Sequence, residues 1–376
     1  MILAHGGRDN PPASGLTEYL VLHGAQRVTT VLNPLTTEDG NRHTIVTYQP
    51  GRRPVGHTFS LPARPPYTYP LDLLVPPIAP GADAWFAFNN LLCARGLFER
   101  RAKRTTTVVY WAVDFVPDRF GARTLLTRAY DTLDAYCCRH SDLRVELTAA
   151  AREGRDERHG IESDDAGAEC IVAPIGAWLD RVPVTPCDGW KTRRVVFIGH
   201  LVERMGGDTV IDALALLSER GCPVTADVAG HGPLAEQLQA QANRRGVGDL
   251  VRFHGFIANH RELEQLLCRA AVGLAPYNTR VQSFTRYADP SKLKSYLAAG
   301  LPILLTSVPP NAGELADQAG AEIVPDNAGD LATAIEHLLA DAEAWQRRRA
   351  AALAYSRQFD WNRIITDVLN ASGFDA

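Results

Sequence analysis

The chain has 376 residues, 45% hydrophobic and 22% charged, with 30 Gly and 24 Pro; this excludes disorder, collagen and coiled coil and is enough for two domains. Lys and Arg number 39 against 43 Asp and Glu, a formal charge of -4, whereas a protein that grips long nucleic acid by its phosphates usually runs strongly basic. Nucleic-acid binding is therefore not expected.

In chain order, residues 1–4 predict a strand, and four apolar residues are too few for a signal peptide. A Gly/Pro-rich loop containing Pro11, Pro12 and Gly15 leads into a helix over 15–23. Strands follow at 28–32 and 44–48, then a Pro-rich stretch over 50–80. Strands at 84–88 and 108–112, a helix over 124–140 and strands at 143–147 and 171–173 complete a first α/β pattern. Pro183, Pro186 and Gly189 mark a linker over 183–190. Beyond it strands at 195–199, 224–229, 251–254, 272–275 and 302–306 alternate with helices over 207–220, 234–245, 260–268 and 291–299, the rhythm of a Rossmann-like domain. The expected fold class is α/β with two Rossmann-like domains facing a central cleft, where ligands of open α/β sheets bind.

Charge and cysteines narrow the setting. Residues 1–104 hold 11 Lys/Arg against 7 Asp/Glu, and Arg100, Arg101, Lys103 and Arg104 cluster there. That cluster is either a solvated helix end or a peripheral contact for anionic lipid headgroups. The 7 Cys include no C-x-x-C pair, so they read as small buried hydrophobes of a reducing compartment, the cytosol. No apolar run approaches the roughly 20 residues of a spanning helix, which predicts a soluble or peripheral protein.

The dinucleotide fingerprint, the Walker loop, H-E-x-x-H and G-x-S-x-G are all absent, and His231, His254 and His260 lack metal-ligand spacing. No metal and no resident cofactor are expected. The informative stretch is Ala275-Pro276-Tyr277, a strand end, followed by Asp289-Pro290-Ser291-Lys292-Leu293-Lys294-Ser295 and, further on, Gly300-Leu301-Pro302. Pro290 and Ser291 open a helix whose first N–H groups lack intrahelical partners, and Lys292 adds a full positive charge to that turn. A cation there costs the helix about 0.3–1 kcal/mol, so a bound anion, such as a nucleotide diphosphate, gives it a purpose. The alternative is a plain surface charge.

This segment resembles the donor-binding segment of GT-B glycosyltransferases, especially glycosyltransferase family 4. The resemblance continues through Phe197-Ile198-Gly199-His200-Leu201, Arg204-Met205-Gly206-Gly207, and Val251 to Gly255-Phe256. It implies a nucleotide-sugar site over residues 190–350, formed by Gly199, His200, Gly255, Phe256, Tyr277, Asp289, Ser291, Lys292 and Ser295. It also implies an acceptor domain over 1–185, and a helix within 351–376 that crosses back to that domain. Departures are marked. The family's Arg and Lys fall on His200 and Met205, with Arg204 as a replacement able to fork a phosphate. Its two Glu fall on Tyr287 and Ser295. Asp289 survives nearby, and Arg286 either reads an anionic group or pairs with Asp289. Glu314 lies near a helix start that, in family 4, often touches the donor sugar.

On the acceptor side, His5-Gly6-Gly7 forms the glycine turn after the first strand, with His5 either facing ligand or buried at a strand end. Asp114, just past the strand at 108–112, is either a general base or a turn acid before Pro117. Its segment also resembles that of inverting exopolysaccharide glucuronosyltransferases. Trp111 either stacks on a sugar or belongs to the core. The sequence reads as a metal-independent enzyme that transfers sugar from a nucleotide diphosphate to a saccharide, lipid-linked saccharide or small-metabolite acceptor. Retention is the first expectation, inversion through Asp114 the second. Lys292 and Arg204 stabilise the leaving diphosphate. A non-catalytic nucleotide-sugar binder and an epimerase or phosphorylase-like enzyme are the rivals.

Overall fold

The computed structural model describes residues 1–6, 10–34, 40–65, 67–73, 81–162, 169–281 and 284–374. The chain divides into two compact units, Met1–Gly176 with Trp361–Ala376, and Ala177–Asp360. The first unit thus ends nearer 176 than 185, and the segment that returns to it begins at Trp361.

Unit 1 is built on eight strands, β1 (Ile2–Gly6), β2 (Val28–Asn33), β3 (Arg42–Tyr48), β4 (Val55–Ser60), β5 (Ala82–Ala87), β6 (Thr105–Ala112), β7 (Leu143–Glu146) and β8 (Glu169–Val172). They lie in the order β4-β3-β2-β1-β5-β6-β7-β8, and all neighbours are parallel except that β3 runs antiparallel to both β2 and β4. Trp85, Phe86, Val108 and Val109 are buried, as expected of central strands covered on both faces. The Pro-rich stretch yields an edge strand: β4 pairs with β3 from Val55 to Ser60, and the flanking Pro54 and Pro62 stay outside the ladder.

The first helix, Pro11–Leu22, corrects the expected loop. Both prolines stand inside its first turn, and Asn10 Oδ1 accepts from the Ala13 N–H at 3.0 Å. A proline there gives up only an N–H that has no intrahelical acceptor. Gly15 lies on the face that meets the last helix, Trp361–Ala371; a Cβ at Gly15 would stand 3.0 Å from the Trp361 ring. Two further helices, Asn90–Arg101 and Ala149–His159, cover the sheet where the sequence reading placed no element.

Unit 2 carries β9 (Arg194–Ile198), β10 (Thr225–Ala229), β11 (Val251–Gly255), β12 (Val272–Ala275), β13 (Ile303–Leu305) and β14 (Glu322–Ile323). All pair in parallel, in the order β11-β10-β9-β12-β13-β14. The order reverses between β9 and β12, and ligands of such sheets bind beyond the carboxyl ends of the strands at that reversal. The expected linker is pinned to this unit: Thr185 donates its N–H to the Ala299 carbonyl at 2.9 Å and accepts on its own carbonyl from Arg349 Nε at 2.7 Å.

Candidate donor site and the acceptor-side strand ends

The helix Ser291–Ala298 is positioned by Tyr296. Its buried hydroxyl accepts from the Ile198 N–H at 3.0 Å and lies 3.3 and 3.2 Å from the Val196 and Leu274 carbonyls. These bonds tie the helix to β9 and β12, the two strands that flank the reversal. Gly273 leaves room for the ring, since a Cβ there would stand 2.7 Å from it. No side chain caps the helix start at Pro290, so its first N–H groups face their surroundings unclaimed by a capping residue.

Lys292, in that first turn, is not a surface charge. The residue is only 7% exposed, and Nζ is buried with no hydrogen-bond partner. It lies 4.3 Å from the centroid of Tyr277 and 4.9 Å from that of Phe197. Burial pulls its pKa down from the usual 10.5 to about 7. Gly199, just beyond β9, leaves the stem uncovered; a Cβ there would be 4.0 Å from Lys292 Cδ. Arg204 lies over Phe284 at 5.2 Å, its Nε is buried without a partner, and its charge acts on the Tyr277 hydroxyl. Gly199, Arg204, Tyr277, Ser291 and Lys292 therefore gather at the carboxyl ends of β9 and β12.

Several residues expected near the donor have partners within the protein. Asp289 is buried and pairs with Lys294 at 2.6 Å, both side chains 2% exposed, so its carboxylate is already occupied. Arg286, offered as a partner for Asp289, lies instead over Tyr287 at 4.7 Å. Tyr277 is buried beneath Lys292. The Ser295 hydroxyl turns back to the Ser291 carbonyl at 3.3 Å. Glu314 stands in the first turn of the helix Ala312–Gln318 and engages Tyr355.

The turns after β9, β10 and β11 pack backbone to backbone. The Gly230 N–H donates to the Gly255 carbonyl at 2.8 Å, and a Cβ at Gly230 would stand 1.8 Å from the Gly199 carbonyl oxygen. His200 and His231 meet edge to face at 4.9 Å, and His231 meets Phe256 at 5.3 Å. Phe256 is 57% exposed, offering an aromatic face at the end of β11. The sequence weighed His231 only as a metal ligand, whereas its ring joins the other two across separate turns.

In unit 1, His5 and Gly6 end β1, which lies between β2 and β5; Gly7 lies outside the described residues. Trp111 is 0% exposed and stacks on Phe88 at 5.6 Å, so it belongs to the core and has no face for a sugar. Asp114 stands two residues past β6 with its side chain 55% exposed, 3.7 Å from Arg119. Its carbonyl accepts from Arg155 Nη2 at 2.8 Å. The basic cluster is largely spent inside the unit: Arg100 pairs with Asp142 at 2.5 Å, Arg101 donates to the Tyr136 hydroxyl at 2.7 Å, and Arg104 pairs with Glu99 at 3.2 Å. Lys103 is exposed. Among the described residues no helix is long and apolar enough to cross a membrane, and no group of three or more His, Cys, Asp or Glu is placed to hold a metal ion.

Residues 192–341 match the family model described as Glycosyl transferases group 1. A glycogen synthase of Mycobacterium tuberculosis is 29% identical over 247 residues, covering 64% of this chain and 56% of the relative. A GDP-mannose-dependent alpha-(1-6)-phosphatidylinositol dimannoside mannosyltransferase of the same species is 28% identical over 270 residues, covering 68% and 65%. The chain thus spans little more than half the length of the glycogen synthase it matches. Among solved structures, Anabaena HepE bound to UDP aligns over 99% of both chains with a TM-score of 0.67 at 16% identity. Sucrose-phosphate synthase from Thermosynechococcus elongatus aligns over 98% of both with a TM-score of 0.70 at 15% identity. These likenesses show the GT-B fold.

Proposed function

We propose that this protein is a glycosyltransferase of GT-B fold that moves a sugar from a nucleotide diphosphate donor, held by unit 2, to an acceptor hydroxyl presented to residues 1–180, a reading supported by the family match and the similar proteins. The acceptor is a saccharide, a lipid-linked saccharide or a small metabolite. The observation that carries the reading is the buried, unpartnered Lys292 ammonium in the uncapped first turn of the helix Ser291–Ala298. A buried cation without a partner is costly unless an anion completes it, and a diphosphate does so.

As the bond from the anomeric carbon to the diphosphate breaks, negative charge collects on the leaving oxygens. The helix N–H groups, Lys292 and Arg204 stabilise that charge without having to reorganise. Retention is the first stereochemical reading, with the departing phosphate taking the acceptor proton. The second reading is inversion with Asp114 as base. It is favoured by one feature: the Asp114 carboxylate is exposed at the end of β6 while its backbone is held by Arg155.

The test begins with calorimetry of UDP, GDP, UDP-glucose and GDP-mannose, the nucleotides and sugars named for the similar proteins. Binding by the wild type and loss of donor turnover by about 10²- to 10³-fold in Lys292→Met are expected. Heat without product in the wild type would instead describe a dead binder. The anomeric proton of the product, read by NMR, separates retention from inversion.

A further inference from the structure

Beneath the Asp114 turn lies a cluster of charges that donor binding does not use. Its centre is Arg155, on the helix Ala149–His159, with a side chain 1% exposed. Nη1 pairs with Asp134 of the helix Leu125–His140, and Nε stands 2.8 Å from Glu146 Oε1 on β7. The guanidinium lies 5.8 Å from the Tyr110 ring on β6 and 5.2 Å from that of Phe115. Asp134 also accepts from the Tyr110 hydroxyl at 2.5 Å, and His159 Nε2 lies 2.7 Å from it. Arg144 stands 3.6 Å from Glu146 and 2.6 Å from Asp156. Asp134 holds one edge of the planar guanidinium by a hydrogen bond and Glu146 lies beside Nε as a charge contact, and together they limit the directions open to the remaining donor. Here the free edge is Nη2, and it reaches the Asp114 carbonyl at 2.8 Å.

A buried ion pair is weak evidence of stabilisation, because apolar side chains of similar volume often serve as well. Balancing Asp134 and Glu146 does not require a third bond to the backbone of a turn whose side chain faces solvent. We propose that Arg155 is a positioning residue: its bond to the Asp114 carbonyl fixes the turn that aims the Asp114 carboxylate at the acceptor hydroxyl. The proposal rests on the reading of Asp114 as the acceptor-side base.

The full-length protein is assayed for nucleotide release from whichever of UDP-glucose and GDP-mannose binds, with water in place of the acceptor. Asp114→Asn, Arg155→Lys and their combination are compared. Lysine keeps a charge beside Asp134 but cannot span all three partners. Arg155→Lys is expected to lose at least tenfold in turnover with unchanged calorimetric affinity for the nucleotide diphosphate. Combined with Asp114→Asn it should lose nothing more, the non-additivity of groups acting through one another. Losses that multiply would mean that Arg155 acts on the fold alone, and the proposal fails. Full turnover in Asp114→Asn overturns the reading of Asp114 and the proposal with it, while calorimetry still reports separately on the donor site. Should Arg155→Lys unfold, the pair Arg155→Met with Asp134→Asn removes both charges and is put through the same cycle, with the same two outcomes.

Discussion

At the scale of single residues, Lys292 links function to protons. Its folded pKa near 7 lies below the usual 10.5 because burial disfavours the ammonium. Between those values the unfolded chain holds a proton that the folded chain has released, so the ligand-free protein gains stability as pH rises through that window. Urea unfolding at pH 7 and pH 9 should show the gain, and Lys292→Met should remove it. A bound diphosphate favours the charged form, so binding at pH 8 should take up close to one proton per site. Calorimetry in buffers of different ionisation heat reads this directly, and binding without uptake would separate Lys292 from the phosphates. Lys292 was legible in the sequence because a cation in a first helical turn breaks a local rule. The Asp289–Lys294 pair was not, since which side chains face inward is decided by packing between segments, and of the two readings open for Trp111 the structure gives the core one. Arg155 escaped for the same reason: its partners Asp134 and Asp114 stand 21 and 41 residues away.

At the scale of elements, the parallel strands of unit 2 were legible as short apolar runs, because strands covered on both faces need apolar side chains at successive positions. The helix Pro11–Leu22 was not, because prolines that usually mark a loop also suit a first helical turn. Among the turns, Gly206 carries the heaviest constraint. It has φ 71°, it caps the helix Gly207–Glu219, and a Cβ there would stand 1.7 Å from the Pro276 carbonyl oxygen. Gly255, with φ 67°, has nothing within 4 Å of the same position. Alanine at either pays about 1–2 kcal/mol for a left-handed backbone. Only Gly206→Ala must also push apart the turn carrying Arg204 and the end of β12. It should therefore lose clearly more stability in thermal unfolding than Gly255→Ala, and weaken nucleotide binding as well. Equal losses would show that the Pro276 contact relaxes at no cost.

At the scale of the whole molecule, sequence order and spatial grouping part company at residue 361. The helix Trp361–Ala371 buries Trp361, Ile364, Ile365, Val368 and Leu369, yet the segment before it, through Asp360, belongs to unit 2. Its anchorage on the first helix is specific. Trp361 fills the space left by Gly15, and Tyr19 and Thr366 meet hydroxyl to hydroxyl at 3.0 Å. Truncating a buried aromatic of this kind costs about 3–5 kcal/mol. Trp361→Ala should therefore release amide protection in Pro11–Leu22 and β1 under hydrogen exchange, and leave β9 to β13 protected as in the wild type. Gly15→Leu approaches the same contact from the other side, by forcing a side chain into the ring, and should release the same segments. If protection is lost in unit 2 instead, the returning helix serves that unit despite its contacts with the first.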